Sequence, residues 1–258
     1  MSKQMMFYEQ AVPVSPSRHA DVSVESGTGY GFASHASAVP LMAVEFLLAA
    51  TEYAIVFTTV GDEILPAVVL GLNTEQNLYL GADGQWNAKY VPAFIRRYPF
   101  VFAAGPDRKT LTLCIDEASA GFNRAGKGQA LFDAEKKPTP YTERVLKFLQ
   151  AFQTHFLRTR QFCQRVKELD ILEPTTVRVR GPGGEKHALG GFQVVSRKKL
   201  REVSLEKVGP LLKTDELELL YLHLYSLRNF ADVKDRLIGS PPVEGDEAHP
   251  AATVVSAK

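Results

Sequence analysis

The chain has 258 residues, of which 45% are hydrophobic and 23% charged, a composition typical of a folded, soluble protein. Thirty basic side chains against twenty-nine acidic ones leave a net charge of +1, which excludes recognition of nucleic acid or anionic membranes through overall charge. The two cysteines, Cys114 and Cys163, are too few for a disulfide framework or a cysteine-based zinc site. We expect both to be reduced, buried thiols.

The first 37 residues are predicted to form an extended N-terminal arm with room for one short edge strand. They are rich in Ser, Ala, Gly and Pro, and polar residues interrupt the start of the chain where a secretory signal would be apolar. The longest apolar stretch, residues 38–60, contains Glu45 and Glu52, and each carboxylate would cost about 2.5–3.5 kcal/mol at the centre of a bilayer. We therefore expect a buried helix and strand there, no membrane insertion and a cytoplasmic location.

Short strands are predicted between residues 50 and 135, where β-branched and aromatic segments alternate with turn residues. Gly61 and Asp62 predict a hairpin between the first two strands, and Pro66 predicts that the second strand starts late or lies at an edge. The predicted strands are residues 53–59, 64–70, 77–80, 100–104, 110–115 and 130–132.

Helices are predicted before and after these strands in the sequence. A short helix covers residues 41–50, and the strongest helical pattern covers residues 142–169, where apolar side chains recur every three or four positions with Thr159 as the one polar member. Pro174 is expected to stop the long helix, and a hairpin follows within residues 177–195. Three further helices are predicted at residues 197–200, 205–212 and from 214 onward.

These elements predict an α+β fold, in which a largely antiparallel sheet of short strands packs against a long helix and a helical C-terminal half. We expect either one compact domain or two packed lobes that meet near Pro138. The last residues lack aromatic side chains and any apolar period, which is typical of disorder. The predicted divisions are an arm at 1–37, a globular domain at 38–238 (sheet-rich at 38–137, helix-rich at 138–238) and a disordered tail at 239–258.

Four stretches, in this order and spacing, resemble the bacterial SapC family. They are VPLMAVEFLLAATEYAIVF, GLNTEQNLYLGADGQWNAKYVPAFIRRYPFVFA, LTLCID, and the end from LGGFQVVSRKKL to LYLHLYSLRNF. The family name comes from surface-layer genes, and relatives are commonly found near genes for tryptophan-halogenase-like proteins, cupin-like proteins and outer-membrane receptors. The resemblance implies an accessory role in the uptake or modification of a small molecule or peptide, and it supplies no catalytic residues.

The segment from Asp83 to Tyr98 is the best candidate binding surface, because it concentrates the only Trp, two Tyr, two adjacent Arg and an Asp. Aromatic rings supply rigid stacking area, and Arg pairs with a carboxylate or phosphate. A structural alternative is that the aromatic residues are buried in the core while one Arg pairs with an Asp. The candidate ligand-binding residues are Asp83, Trp86, Tyr90, Arg96, Arg97, Tyr98 and Asp116.

Other motifs do not predict a site. His19 and Asp21 have the spacing of an iron-binding pair, but they lie in the predicted arm and are expected to be solvated. His155 and His223 are expected at the surface or at helix caps, and His187 is expected to be exposed. No metal site or cofactor is predicted. A second patch near the C-terminus is expected to pack in the core: Tyr221, His223, Tyr225, Arg228 and Asn229.

The leading hypothesis is therefore a cytoplasmic binding or accessory protein. Its partner would be a small molecule, a peptide or another protein of the same pathway, and not nucleic acid. The alternative is an enzyme with an unrecognised active site around Trp86 to Arg97 and Asp116. The catalytic residues of such an enzyme are unknown from the sequence.

Overall fold

The computed structural model describes residues 6–73, 76–105, 110–180, 186–239 and 253–254. Antiparallel strands form three sheets and are combined with one long helix and a group of C-terminal helices, which confirms the predicted α+β class. Across the described residues, no helix has both the length and the apolar character needed to cross a bilayer.

The elements are mostly short, apart from one helix of 29 residues. The strands are β1 (Ala11–Pro13), β2 (Ser23–Val24), β3 (Ala38–Pro40), β4 (Ile55–Val60), β5 (Glu63–Val69), β6 (Phe100–Ala104), β7 (Leu111–Asp116), β8 (Phe122–Asn123), β9 (Gln129–Ala130), β10 (Leu172–Arg180), β11 (Lys186–Val195) and β12 (Thr253–Val254). The helices are α1 (Pro16–His19), α2 (Phe46–Ala49), α3 (Ala93–Arg96), α4 (Pro140–Glu168), α5 (Arg197–Glu202), α6 (Leu205–Lys213), α7 (Glu216–Ser226) and α8 (Phe230–Gly239), with 3-10 turns at Gly31–Ala33, Ala43–Glu45 and Leu227–Asn229.

These elements group into two compact units, and each unit joins segments that are distant in sequence. The first unit draws on Met1–Phe32 and Phe94–Thr154, and the second on Ala33–Ala93 and His155–Lys258. Helix α4 therefore contributes its first half to one unit and its second half to the other. The division into arm, globular domain and tail remains a prediction.

In the first unit, the N-terminal segment supplies two short strands. One sheet has the order β1-β7-β6, and in another β2 lies between β8 and β9. Val22 and Val24 are buried and belong to a core cluster with Phe100, Ile115 and Leu131. Strands of two or three residues are too short to show an alternation of apolar side chains, which is why the sequence pattern predicts an arm there.

A six-stranded antiparallel sheet forms the centre of the second unit, in the order β12-β10-β11-β4-β5-β3. The hairpin predicted at Gly61 is confirmed: β4 pairs with β5, and Gly61 takes the positive φ of 60° that its turn requires. The hairpin of β10 and β11 is also confirmed, although its turn lies outside the described residues. Of the predicted disordered tail, Gly239 ends α8 and Thr253–Val254 pairs with β10, while residues 240–252 and 255–258 lie outside the described residues.

The prediction for Pro66 is wrong, because β5 neither starts late nor lies at an edge. The strand begins at Glu63 and runs between β4 and β3. Pro66 lies at the end of the β3–β5 ladder, where its carbonyl accepts a hydrogen bond from the backbone N–H of Leu41 at 3.0 Å. At the end of a ladder, the missing N–H of a proline removes one terminal bond and leaves the rest of the pairing intact.

The strand predicted at residues 77–80 is instead a turn with a single bridging residue, Leu80. Asn77 explains the difference, because its side chain forms hydrogen bonds with two backbone groups. Its Oδ1 accepts from the N–H of Tyr79 at 2.9 Å, and its Nδ2 donates to the carbonyl of Ala33 at 3.0 Å. An Asn that bonds the backbone two residues ahead favours a turn over an extended strand.

Helix α4 is confirmed, but it ends at Glu168, well before Pro174, which lies within β10. The chain reverses at Asp170, which adopts a positive φ of 50°. Thr159, the polar member of the apolar stripe, is fully buried; its hydroxyl accepts from the N–H of Ala43 at 2.9 Å and donates to a helix carbonyl.

Three buried polar side chains, spaced three residues apart on α7 and the 3-10 turn after it, bind backbone groups of the second unit. His223 Nε2 accepts from the N–H of Val195 at 3.0 Å, and Ser226 Oγ accepts from the N–H of Ile55 at 3.0 Å. Asn229 Nδ2 donates to the carbonyls at residues 50 and 53 at 2.8 and 2.9 Å. The expectation of a surface position for His223 is therefore wrong, because its ring is a hydrogen-bond acceptor inside the fold.

The two cysteines are free and buried, as predicted, and one lies in each unit. Burial raises the pKa of the Cys114 thiol and raises the pKa of Cys163 to about 12. Because the thiolate is the reactive form, we expect both to react with a disulfide reagent far more slowly in the native protein than in denaturant. Mass spectrometry of labelled peptides would measure the labelling rate of each cysteine separately. Rapid labelling of either cysteine at neutral pH would contradict the prediction.

His223 is expected to make stability depend on pH, because burial lowers its pKa to about 3. The unfolded chain binds the proton near the ordinary histidine pKa of about 6.5, so the free energy of unfolding should fall as pH drops from there towards 3. Urea unfolding of the wild type and of His223→Gln should diverge in this range by up to about 1.4 kcal/mol per pH unit. His155→Gln is the matched control and should keep the wild-type slope; an equal slope in His223→Gln would refute the prediction.

Candidate functional site

The first part of the candidate segment lies in the second unit, in an irregular loop of residues 81–92 that we call the pinned loop. It contains no helix or strand, and Trp86 forms one isolated bridge with Leu80. Asp83 is exposed, and its Oδ1 accepts from the N–H of Gln85 at 3.0 Å, which closes the first turn. Trp86 and Tyr90 are half-buried.

Two carboxylates from the preceding helical segment hold the far end of the loop. Glu52 accepts hydrogen bonds from the N–H groups of Lys89 and Tyr90 at 3.0 and 2.9 Å. Glu45, only 3% exposed, accepts from the N–H of Ala93 at 2.7 Å and from the Tyr90 hydroxyl at 2.6 Å. Its other oxygen accepts from the N–H of Met42 at 2.8 Å, so both oxygens of this buried carboxylate are bonded.

A tyrosine hydroxyl holds the middle of the loop. The Tyr53 hydroxyl accepts from Trp86 Nε1 at 2.8 Å and donates to the carbonyl of Tyr90. Burial raises the pKa of Tyr53, which keeps the hydroxyl protonated and able to donate. The ring of Tyr79 lies 4.6 Å from that of Tyr53, and its own hydroxyl donates to the carbonyl of Glu52. The loop is thus fixed by side chains of one short stretch, residues 45–53.

The remaining candidate residues lie in the first unit, and two of them are buried. Asp116 is fully buried, and its carboxylate accepts from the N–H groups at positions 9, 10 and 118 at 2.8–3.1 Å and from the Tyr98 hydroxyl at 3.3 Å. This carboxylate orders the N-terminal segment against the end of β7.

Arg97 is 4% exposed and lies among aromatic rings, with its guanidinium carbon 4.1 Å from the ring centre of Phe94 and 5.0 Å from that of Phe152. Burial lowers the pKa of Arg97. Arg96 is exposed, and Tyr98 is half-buried with its ring stacked on another aromatic ring at 4.0 Å.

The structure therefore divides the seven candidate residues between the units. Asp83, Trp86 and Tyr90 share the pinned loop, whereas the other four belong to the first unit. Sequence reasoning missed Glu45 and Glu52 as part of this arrangement. The available signal was their position as carboxylates within an apolar stretch, which requires hydrogen-bond donors nearby once the stretch is buried.

The expectation that His19 is solvated is wrong, because its side chain is fully buried. Its Nδ1 accepts from the N–H of Ser15 at 3.2 Å, and its Nε2 lies 3.1 Å from Glu117 Oε1. Two hydrogen bonds of 2.6 Å from Arg18 lower the pKa of the Glu117 carboxyl to about 2. Asp21 pairs with a different side chain, Arg124. In the part of the chain that the structure describes, no group of three His, Cys, Asp or Glu side chains is arranged to hold a metal.

The C-terminal patch separates into an inner and an outer face. His223 and Asn229 are buried and bind backbone, in agreement with the expected core role. Tyr221 and Tyr225 are exposed, and Arg228 donates to the Tyr225 hydroxyl at 3.0 Å. The prediction of core packing is therefore wrong for Tyr221 and Tyr225, which lie on the face of α7 opposite its buried residues.

Comparison with known proteins gives a family and no nearer relative. A family model described as SapC matches residues 14–233, most of the chain. None of the curated proteins matches, and none of the solved structures does either.

Replacement of Glu45 by alanine is expected to destabilise the protein strongly. The change leaves the buried N–H groups of Met42 and Ala93 and the Tyr90 hydroxyl without their acceptor, and each such group costs about 1–3 kcal/mol. Urea unfolding should therefore report a loss of at least about 3 kcal/mol. Glu206→Ala, which removes an exposed acid from the first turn of α6, should change stability by under about 0.5 kcal/mol. Equal effects of the two changes would contradict the role of Glu45.

Proposed function

The chain belongs to the SapC family, and we propose that it is a binding or accessory protein whose recognition surface is the pinned loop. The partner would be a small molecule, a peptide or another protein of the same pathway, met in the cytoplasm. The observation that supports this proposal is the fixation of an irregular surface loop by Glu45, Glu52 and Tyr53.

A fixed loop favours binding because its conformational entropy is already lost before the partner arrives. Ordering one flexible side chain at an interface costs about 0.5–1.5 kcal/mol, and ordering a backbone segment costs more. In the pinned loop, the backbone N–H groups of Lys89 and Tyr90 and the carbonyl of Tyr90 are bonded to side chains in the free protein. A partner therefore meets a surface of defined shape, as on other rigid scaffolds that present binding loops.

The side chains of the loop determine what kind of contact it offers. The indole N–H of Trp86 is already bonded to Tyr53, so Trp86 would contribute its ring and not a hydrogen bond. Asp83 and Lys89 are both exposed and carry opposite charges. The loop thus suits a partner that combines a flat or apolar group with polar groups of either sign.

The test compares two double variants with matched charge changes. Asp83→Asn with Lys89→Ala alters the loop surface and keeps its internal hydrogen bonds, because Asn still offers an acceptor to Gln85 and the backbone N–H of Lys89 still bonds Glu52. Glu206→Gln with Lys207→Ala makes the same kind of change on exposed positions of α6. Affinity capture from native lysate, with mass spectrometry of proteins and small molecules, should recover the same partner with the wild type and the α6 variant.

The loop variant should recover at least about tenfold less of that partner, the scale of one charged hydrogen bond. The captured partner, added back, should change the emission of Trp86, which is the only tryptophan. Equal capture by both variants, together with unchanged Trp86 emission, would overturn the proposal.

A further inference from the structure

A separate feature of the second unit is an open groove of about 550 Å³ where β4, β10 and β11 run side by side. The register of β10 against β11 shifts here, so that Gly190 and Gly191 together oppose Thr176. Gly191 has a φ of 79°, the left-handed conformation of a glycine β-bulge. Bulges of this kind interrupt a ladder and redirect the side chains beside them.

Gly191 lines the groove, and Gly190 lies beside Thr176, which also lines it. A Cβ atom built at Gly190 would lie 3.2 Å from the hydroxyl oxygen of Thr176, which is closer than most real contacts of a Cβ. A side chain at position 190 would therefore press on the Thr176 hydroxyl, which glycine leaves undisturbed.

Polar side chains from all three strands line the groove. They are Thr59, Thr175, Thr176, Arg178 and Gln193. Within the described residues, none of the five makes a side-chain hydrogen bond or ion pair, in contrast to the polar side chains that hold the pinned loop. Their donors and acceptors are therefore available to a ligand.

The groove carries positive charge. Arg178 is the only charged residue among its described lining residues. The backbone of Arg178 is paired on both sides, with Ala188 of β11 and Thr253 of β12, so its position in the sheet is defined. Pro174 and Phe192 add apolar surface to the same lining.

We propose that this groove binds a small organic anion, whose carboxylate or phosphate pairs with the Arg178 guanidinium and accepts hydrogen bonds from the threonine hydroxyls. An apolar part of the same molecule would lie against Pro174 and Phe192. A guanidinium matches the planar or tetrahedral oxygens of such anions with two parallel N–H bonds. The volume of about 550 Å³ lies within the range of about 300–1,000 Å³ found for small-molecule sites.

The experiment uses the full-length chain, because Thr253 pairs with Arg178, and follows its ¹⁵N-labelled backbone amides by NMR. Benzoate and phenyl phosphate are the probes, and benzyl alcohol is the neutral analogue of the same size. We expect the amides of residues 175–178 and 191–193 to shift with the two anions and much less with benzyl alcohol. Whichever anion binds more tightly identifies the favoured acid group.

Two arginine variants separate a specific site from general attraction of anions. Arg178→Gln should weaken binding of the better probe by at least about tenfold, and Arg158→Gln, which removes an exposed arginine of α4, should leave it unchanged. Both positions are exposed, so both variants should keep the wild-type spectrum elsewhere. Equal binding of the neutral analogue, equal binding by Arg178→Gln, or shifts scattered over the whole surface would each overturn the proposal.

Discussion

A buried carboxylate is tolerated only where hydrogen-bond donors surround it, and this requirement organises the second unit around Glu45. Its two oxygens bond groups from both ends of a segment of about fifty residues, Met42 on one side and Tyr90 and Ala93 on the other. If the donors were displaced, a buried carboxyl group would remain with its oxygens unsatisfied. The position of the pinned loop is therefore linked to the stability of the apolar stretch that carries Glu45.

The same device recurs at other places in the chain, always with a side chain bonded to backbone that is distant in sequence. Asp116 orders the N-terminal segment of the first unit, and Ser226 and Asn229 bind the start of β4 and the end of α2 in the second. Irregular segments have backbone groups that no ladder satisfies, so polar side chains must supply the partners. For function, this means that a carboxylate such as Asp116 already has its hydrogen-bond partners within the protein. Its presence in a sequence does not by itself indicate a ligand site.

Prediction from the sequence succeeded where the signal is local and failed where it depends on distant partners. The β4–β5 hairpin and α4 follow from turn chemistry and apolar periodicity within a single segment. The burial of His19 and His223 could not be read in this way, because each ring finds its environment through residues that only the fold brings near, Glu117 and Val195. The candidate site shows the same division: its aromatic and charged residues were visible in the sequence, whereas the carboxylates that hold the loop have no local signature.

Whether a polar residue of this protein can meet a ligand depends on how much of its hydrogen-bonding capacity the fold already uses. In the pinned loop, the N–H groups of Lys89 and Tyr90, the Tyr90 carbonyl and the Trp86 indole N–H are already bonded, so recognition by the proposed surface would depend on ring area and exposed charge. In the groove the hydroxyls and Arg178 have no side-chain partner within the described residues, and the glycine bulge leaves room beside them, which suits a small molecule with strong acceptors. The two proposed contacts draw on different side chains, so neither excludes the other on chemical grounds.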